Sequence, residues 1–365
     1  MRLFWASKRL HSLCSLTSVL AAALLLTVFL LPVTSLRGEP SASQDVNQVA
    51  RECAGAYHKK DWPRAIELGL KLNRLVPANS VHQYNLACAY ALSDESEKAV
   101  EWLAKAAASG FSLLRLFETD PDLDNVRSHP GYKAALAVVK GNRAEELADL
   151  RARFEKEPLH VVLPPQYNKD QEAPLIVALH GKGARSHWIA DQWRSVAADM
   201  GAILIAPQAV IPLGGGFSWN QADTNDSLGD NAEFLVRLTV EFAMKNYRID
   251  RERTVLTGFS EGGGGCRWIG PRPPYMFAGV IPMGCDYIRD FDAPPKAIGD
   301  RPPRFYFMAG ERDHAVTAEQ LHMAAKDFAA AGFKTKVRVY PKVGHRFPIN
   351  RDTELRKALD FVLQR

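Results

Sequence analysis

The chain has 365 residues, a formal net charge of +5 and five cysteines. Four basic residues, Arg2, Lys8, Arg9 and Arg37, precede the first acidic one, Glu39, so most of the excess charge sits at the amino terminus. The remainder is close to neutral, which excludes the broad basic field that nucleic-acid binding requires.

Behind the basic flank, the run from Val19 to Leu31 contains a single polar residue, Thr27, and Pro32 closes it. About 13 apolar residues fit a secretory signal better than a bilayer span of about 20. Counted from Leu13, with Ser and Thr tolerated, the stretch approaches spanning length, so a cleaved signal and a retained anchor both stay open. Ser41-Ala42-Ser43 offers a small-x-small cleavage site. Residues 1–43 are therefore expected to direct export to the periplasm or the exterior, or to tether the protein; membrane contact is expected through this segment alone.

Residues 44–142 are rich in Ala and Leu with helical periodicity. Trp62-Pro63-Arg64-Ala65-Ile66-Glu67 and Ser96-Glu97-Lys98-Ala99-Val100-Glu101 match at a spacing of 34, with Asn85-Leu86-Ala87-Cys88-Ala89-Tyr90 ahead of the second. This resembles a tetratricopeptide repeat, in which small residues let paired helices pack closely. Two repeats fall short of the three usual for a stable array, and a plain helical hairpin is the alternative. Asp120-Pro121-Asp122-Leu123 and His129-Pro130-Gly131-Tyr132 read as a third unit or a cap. Trp62, Trp102, Phe111 and Phe117 exceed what two hairpins need to bury, so part of this surface is expected to dock on the following domain or on a protein partner. A charged linker helix is expected over 143–157.

From residue 158 onward short apolar runs alternate with helical stretches. Strands are expected at Pro174–Leu179, Ala202–Ala206, Thr254–Thr257, Ala278–Met283, Arg304–Gly310 and Lys336–Tyr340, and helices at Asp191–Met200, Asp230–Asn246 and Thr317–Ala331. Near-continuous apolar strands separated by helices predict a parallel sheet covered on both faces. The third strand runs into Gly258-Phe259-Ser260-Glu261-Gly262, followed by Gly263, Gly264 and Gly265. A G-x-S-x-G turn between strand and helix exposes a serine hydroxyl beside preorganised N–H donors, and its glycines let two backbone arms pass closely. His180, Asp313 and His345 each follow the end of another strand, where open α/β sheets place their sites.

These residues resemble the α/β-hydrolase superfamily, and within it the lidless carboxylesterase/phospholipase–thioesterase and polyhydroxyalkanoate-depolymerase or feruloyl-esterase-like groups. The resemblance rests on Leu163-Pro164-Pro165-Gln166-Tyr167, Leu179-His180-Gly181, Ile249-Asp250-Arg251, the Ser260 turn, Gly310-Glu311-Arg312-Asp313 and Gly344-His345. It covers roughly residues 155–365 and implies an α/β-hydrolase catalytic domain over 158–365, preceded by the small all-α domain. It also implies Ser260 as nucleophile, His345 as its base and Asp313 as the acid that orients the histidine. Glu311, Asp286 and Asp292 are competing acids. The oxyanion hole is implied to use the backbone N–H groups of Glu261 and Lys182. His180 reads as a structural residue shaping that turn, and His187, His314 and His322 as surface or packing histidines.

The expected activity is hydrolysis of carboxylic esters, small or polymer-borne, through an acyl-enzyme without a cofactor. No His and carboxylate pair at i, i+4 spacing has a third ligand in view, so no metal is expected. A prolyl-oligopeptidase-like peptidase is the alternative within the fold; a repeat-based interaction module with an inactive hydrolase domain is the alternative outside it. About 20 residues link Met283 to Arg304, too few for a large lid there, and an open cleft is expected. Phe217 and Trp219, in the Gly-rich loop Gly214–Asn220, are the candidates for its wall, with simple packing of the loop as the competing role. Cys53, Cys88, Cys266 and Cys285 divide two and two between the domains, which permits a disulfide in each or four buried thiols.

Overall fold

The computed structural model describes residues 42–156, 159–219, 230–287 and 293–364. The amino-terminal apolar run, Asn220 and Asp292 lie outside them. The chain divides into two compact units at Arg143/Ala144.

The first unit is all-helical. It contains α1 (Ala42–His58), α2 (Trp62–Leu75), α3 (Ser80–Leu92), α4 (Ser96–Ala108), the short α5 (Leu114–Thr119) and the first half of α6 (Pro130–Lys156). Local chemistry sets the boundaries. Asp61 caps α2 by accepting from the Arg64 N–H, and Asn79 caps α3 by accepting from the His82 N–H. Helix α3 is buried along nearly its whole length, with Ala87, Ala89 and Ala91 almost fully enclosed.

The aromatic residues that looked surplus to two hairpins are absorbed by this unit's own core. Phe111 and Phe117 are fully buried, and Trp102 is buried with them. Tyr84 stacks on Phe111 at 4.4 Å, and Phe117 meets Tyr132 at 5.1 Å. The extra capacity comes from α5, the 3-10 turn Pro121–Leu123 and the start of α6, which the 34-residue spacing did not disclose. The stretch expected as a separate linker helix is the second half of α6, because no further proline interrupts the run after Pro130 and Gly141 is tolerated within it.

A polar network closes this core. The Tyr84 hydroxyl donates to Asp120 Oδ2 at 2.9 Å, and Asp120 Oδ1 accepts from the Asp122 N–H at 3.1 Å, capping the 3-10 turn. The Tyr57 hydroxyl donates to Asp122 Oδ2 at 2.5 Å. Burial pushes the Tyr84 hydroxyl pKa up, so it remains a donor. Asp120→Ala strands a buried hydroxyl and is expected to cost about 1–3 kcal/mol, whereas Tyr84→Phe, which removes one bond, costs about 0.5–1.5 kcal/mol. Urea unfolding of both variants reads the difference; equal costs would mean that the hydroxyl is not stranded.

The second unit is an α/β-hydrolase-like sandwich. Its strands are β1 (His160–Val162), β2 (Ala173–Leu179), β3 (Ile203–Ala206), β4 (Ile211–Leu213), β5 (Gly216–Ser218), β6 (Ile249–Phe259), β7 (Gly279–Met283), β8 (Arg304–Gly310) and β9 (Thr335–Tyr340). Its own helices are α7 (Ser186–Asp199), α8 (Asp230–Asn246), α9 (Glu261–Ile269), α10 (Ala318–Ala330) and α11 (Arg351–Leu363). Seven strands form one sheet in the order β1-β3-β2-β6-β7-β8-β9, parallel throughout except for β1 against β3. Strands β4 and β5 make a separate antiparallel hairpin, where the sequence suggested only a Gly-rich loop.

Every residue of β2 is buried because the sheet is covered on both faces. Leu175, Val177 and Leu179 join the layer containing Leu235 and Phe328 from α8 and α10. Ile176 and Ala178 point the other way, into the layer of Trp193 and Leu359 from α7 and α11. At the far edge β9 is only half buried, with Lys336 over the rings of Tyr306 and Phe361 and Arg338 over Tyr340. The chain leaves β2 toward β3 on one side and later returns to β6 on the other. The switch point of the sheet therefore lies between β2 and β6, at their carboxyl ends.

Candidate active site

Ser260 stands at that switch point, between the end of β6 and the start of α9, with φ 57° and ψ −119°. A non-glycine residue at positive φ is strained. Here the Ser260 N–H is held by Met283 O at 2.8 Å, and its carbonyl accepts from the Gly264 N–H at 3.0 Å. The flanking glycines are sterically required. A Cβ at Gly258 would lie 2.4 Å from Gly262 O, and one at Gly262 would lie 2.4 Å from Leu179 O. The turn after β2 reaches the serine, since a Cβ built on Gly181 would sit 3.2 Å from the Ser260 Cβ.

Asp313 follows β8 and His345 follows β9. His345 Nδ1 lies 2.9 and 3.0 Å from the two Asp313 carboxylate oxygens, and the Asp313 side chain is 1% exposed. Asp313 Oδ1 also accepts from the Ala315 N–H at 2.8 Å, which fixes the carboxylate. With Nδ1 donating to Asp313, Nε2 is left free to exchange a proton. The His345 ring packs on Phe259, the residue before Ser260, at 4.7 Å, and a Cβ on Gly284 would touch both rings and Asp313. Among the described residues the Ser260 hydroxyl makes no hydrogen bond; catalytic contacts of this kind commonly tighten only with substrate in place. Of the competing acids, Glu311 instead accepts from the Lys342 N–H. His314, read as a surface histidine, stands edge-on to His345 at 4.8 Å.

The two backbone N–H groups expected to form the oxyanion hole belong to different elements. Glu261 opens α9, so its N–H has no acceptor one turn back. The Lys182 N–H makes no backbone hydrogen bond among the described residues, while its neighbour Gly183 donates to Phe217 O at 2.9 Å.

The side chain of Glu261 has a part that the motif did not suggest. Its carboxylate accepts from the Ser218 hydroxyl at 2.7 Å and from the Trp219 N–H at 3.1 Å, tying the start of α9 to the end of β5. Burial raises its pKa, opposed by these two bonds and by the charge of Lys182.

Trp219 is thus core rather than cleft wall. It is buried, its indole N–H donates to His180 O at 2.8 Å, and its ring lies 5.1 Å from that of His180. Phe217 is half-buried under the Arg185 guanidinium at 5.2 Å, and neither aromatic lines the described cleft. Both are drawn inward because the glycines fold the loop into a hairpin. The cleft beside His345 is walled instead by Trp188, Phe259 and Phe347. Phe259 lay inside the motif and Phe347 two residues beyond His345, which is the only signal the sequence carried for them.

His180 completes the support. Its Nε2 accepts from the Gln208 side-chain amide at 2.8 Å and from the Ala209 N–H at 3.2 Å, and its Nδ1–H donates to Gly181 O at 2.8 Å. Gln208 Oε1 in turn accepts from the Ser186 N–H at 3.0 Å. Burial holds the His180 pKa down to about 4 from 6.5. Protonation would also turn two donors against the new N–H.

Because the folded protein binds this proton less tightly than the unfolded chain, stability rises with pH between about 4 and 6.5. It is full above 6.5 and lost as pH falls through that window. The contribution is about 3 kcal/mol. Urea unfolding across pH 4–7 is expected to show that rise, and His180→Asn, whatever its absolute stability, should lose this part of it. An unchanged slope in the variant would assign the pH dependence to other groups.

For metal ligands, Cys88, Asp120 and Asp122 of the helical unit converge within 4.8 Å, a grouping invisible in linear spacing. Both carboxylates are already engaged by the tyrosine hydroxyls described above. Cys53, Cys88, Cys266 and Cys285 are buried free thiols. Among the described residues no helix is long and apolar enough to cross a membrane.

Residues 155–291 match the model of a protein family described as "Putative esterase". No curated protein matches the chain. Among solved structures, the Bacillus cereus carboxylesterase is similar at 16% identity over 59% of this chain and 99% of its own, with a TM-score of 0.46. Esterase PE8 is similar at 17% identity over 56% and 97% of the two chains, with a TM-score of 0.44. A thermostable esterase shares 24% identity over 51% of each chain, with a TM-score of 0.41.

Proposed function

We propose that the protein is a serine hydrolase of carboxylic esters that works through an acyl-enzyme. The observation that carries this reading is the His345–Asp313 pair, whose histidine packs on the residue before a strained Ser260, all three following parallel strands of one sheet. The esterase-family match over 155–291 supports the substrate class.

In this reading Ser260 Oγ attacks the ester carbonyl carbon while His345 Nε2 takes the hydroxyl proton. Asp313 holds the ring in the Nδ1–H tautomer and stabilises the imidazolium. The carbonyl oxygen becomes an oxyanion facing the Glu261 and Lys182 N–H groups, donors that act on charge present only in the transition state. The carbon–oxygen bond to the alcohol breaks, and the departing oxygen takes the proton from Nε2. Water, deprotonated by the same nitrogen, then releases the acid and restores Ser260.

The purified protein is expected to hydrolyse short-chain 4-nitrophenyl esters and to be labelled by a fluorophosphonate at Ser260. Ser260→Ala should abolish labelling and lower kcat by about 10³-fold or more, and Asp313→Asn should lower kcat by a comparable factor with little change in KM. Retained labelling or turnover in Ser260→Ala would exclude the mechanism.

The first 43 residues are proposed to act in export, as a cleaved signal or an anchor, and residues 44–142 as a tetratricopeptide-like module. Amino-terminal sequencing of the mature protein distinguishes the two fates of the leader. A start near residue 44 indicates cleavage, and an intact leader in the membrane fraction indicates an anchor. An intact leader on protein that stays in the cytoplasm would reject export.

A further inference from the structure

A cleft of about 610 Å³ opens at His345 and runs along the loop that follows it. Three rings form its apolar wall: Trp188–Phe259 at 5.7 Å, Trp188–Phe347 at 6.0 Å and Phe259–Phe347 at 5.4 Å between centroids. Phe259 also touches the His345 ring, so the wall begins at the proton carrier itself. At the mouth, Ile349 is 93% exposed and Trp188 36% exposed, which leaves apolar surface facing water when the cleft is empty. A flat ring entering here meets a wall of packed aromatic rings, against which offset or edge-on contacts are favourable.

The charges in this cleft are unequal. Arg351 is engaged by Asp352 at 2.8 Å and by Gln192 at 3.0 Å. Arg346, adjacent to His345 in the chain, lines the cleft with a guanidinium that makes neither an ion pair nor a hydrogen bond among the described residues. A guanidinium is a planar fork that matches a carboxylate. The occupant best suited to the cleft is therefore an aromatic group that carries an anionic substituent.

The chemistry also says which side of the ester this group belongs to. His345 Nδ1 is committed to Asp313, so Nε2 must deliver the proton to the departing oxygen. A group seated in a cleft that starts at this ring is the one attached through that oxygen. The turn after β2 and the Glu261 N–H, where the carbonyl oxygen would lie, contribute nothing to the cleft wall.

We infer that this cleft is the leaving-group site of the esterase and that it selects aryl-bearing alcohols with a carboxylate substituent, received by Arg346. The inference rests on the ester-hydrolase reading above.

The test uses the full chain and three acetate esters whose alcohols have similar leaving ability: benzyl, cyclohexylmethyl and 4-carboxybenzyl. Benzyl acetate is expected to exceed cyclohexylmethyl acetate in kcat/KM by about fivefold, and this ratio should shrink in Trp188→Ala. At low salt, 4-carboxybenzyl acetate should exceed benzyl acetate by up to about fivefold. That second ratio should decline as salt is raised and collapse in Arg346→Ala.

Equal rates for the three esters, or ratios indifferent to Arg346→Ala and Trp188→Ala, would overturn the leaving-group site while Ser260-dependent hydrolysis left the esterase reading intact. So would an aromatic preference that appears only on the acyl side, in methyl benzoate against methyl cyclohexanecarboxylate. Absence of Ser260-dependent hydrolysis of every ester would overturn both.

Discussion

The carboxylate of Glu261 joins the two halves of the candidate site. Its backbone lies beside the nucleophile on α9, and its side chain grips the hydroxyl of Ser218 and the N–H of Trp219 at the end of the β4–β5 hairpin. Trp219 then holds His180 O, while β5 pairs with the turn that carries Lys182 through the Gly183 N–H and Phe217 O. A half-buried carboxylate is costly unless it is hydrogen-bonded, and here both bonds run to one short segment. The cost of burial is thus offset only when the hairpin, the turn after β2 and the elbow share a single arrangement.

That dependence gives the surrounding histidine its character. His180 is held neutral by burial and by two donors converging on Nε2, so it braces the turn and does not carry protons. His345 has one nitrogen spoken for by Asp313 and one left over. The two histidines therefore differ in the partners that hold their ring nitrogens. Asp313, fixed by Ala315 and nearly inaccessible to water, is the partner that His345 has and His180 lacks, which is what the proposed mechanism uses.

The sheet was legible because its central strands are buried on both faces and read as unbroken apolar runs, as in Leu175–Leu179 and Phe305–Ala309. Ser260 and Asp313 were legible because each follows such a run, whereas His345 follows β9, whose exposed Lys336 and Arg338 alternate with half-buried residues. The less visible elements are short or half-solvated. Strand β1 is a three-residue antiparallel edge, and β4 and β5 are held by pairing with each other more than by burial. Trp219 illustrates the limit well. A tryptophan in a glycine-rich loop could face a cleft or the core, and the choice depended on Glu261, 42 residues away. In the helical unit the 34-residue spacing located α2 and α4 but said nothing of the Tyr84–Asp120 bond, which joins residues 36 apart.

The outer strand β9 has a bearing on colloidal behaviour. Among the described residues no strand pairs with its outer side, which leaves a row of backbone donors and acceptors as a template for another strand. Lys334 lies next to this strand and Lys336 and Arg338 lie on it, and the latter two spread their stems over Tyr306, Phe361 and Tyr340. The aromatic surface that would reward strand addition is thus shielded, and an approaching copy brings the same cations against these. Arg338 is also paired with Glu354 at 3.6 Å, so Lys334 and Lys336 are the cations that oppose a like-charged copy along this edge.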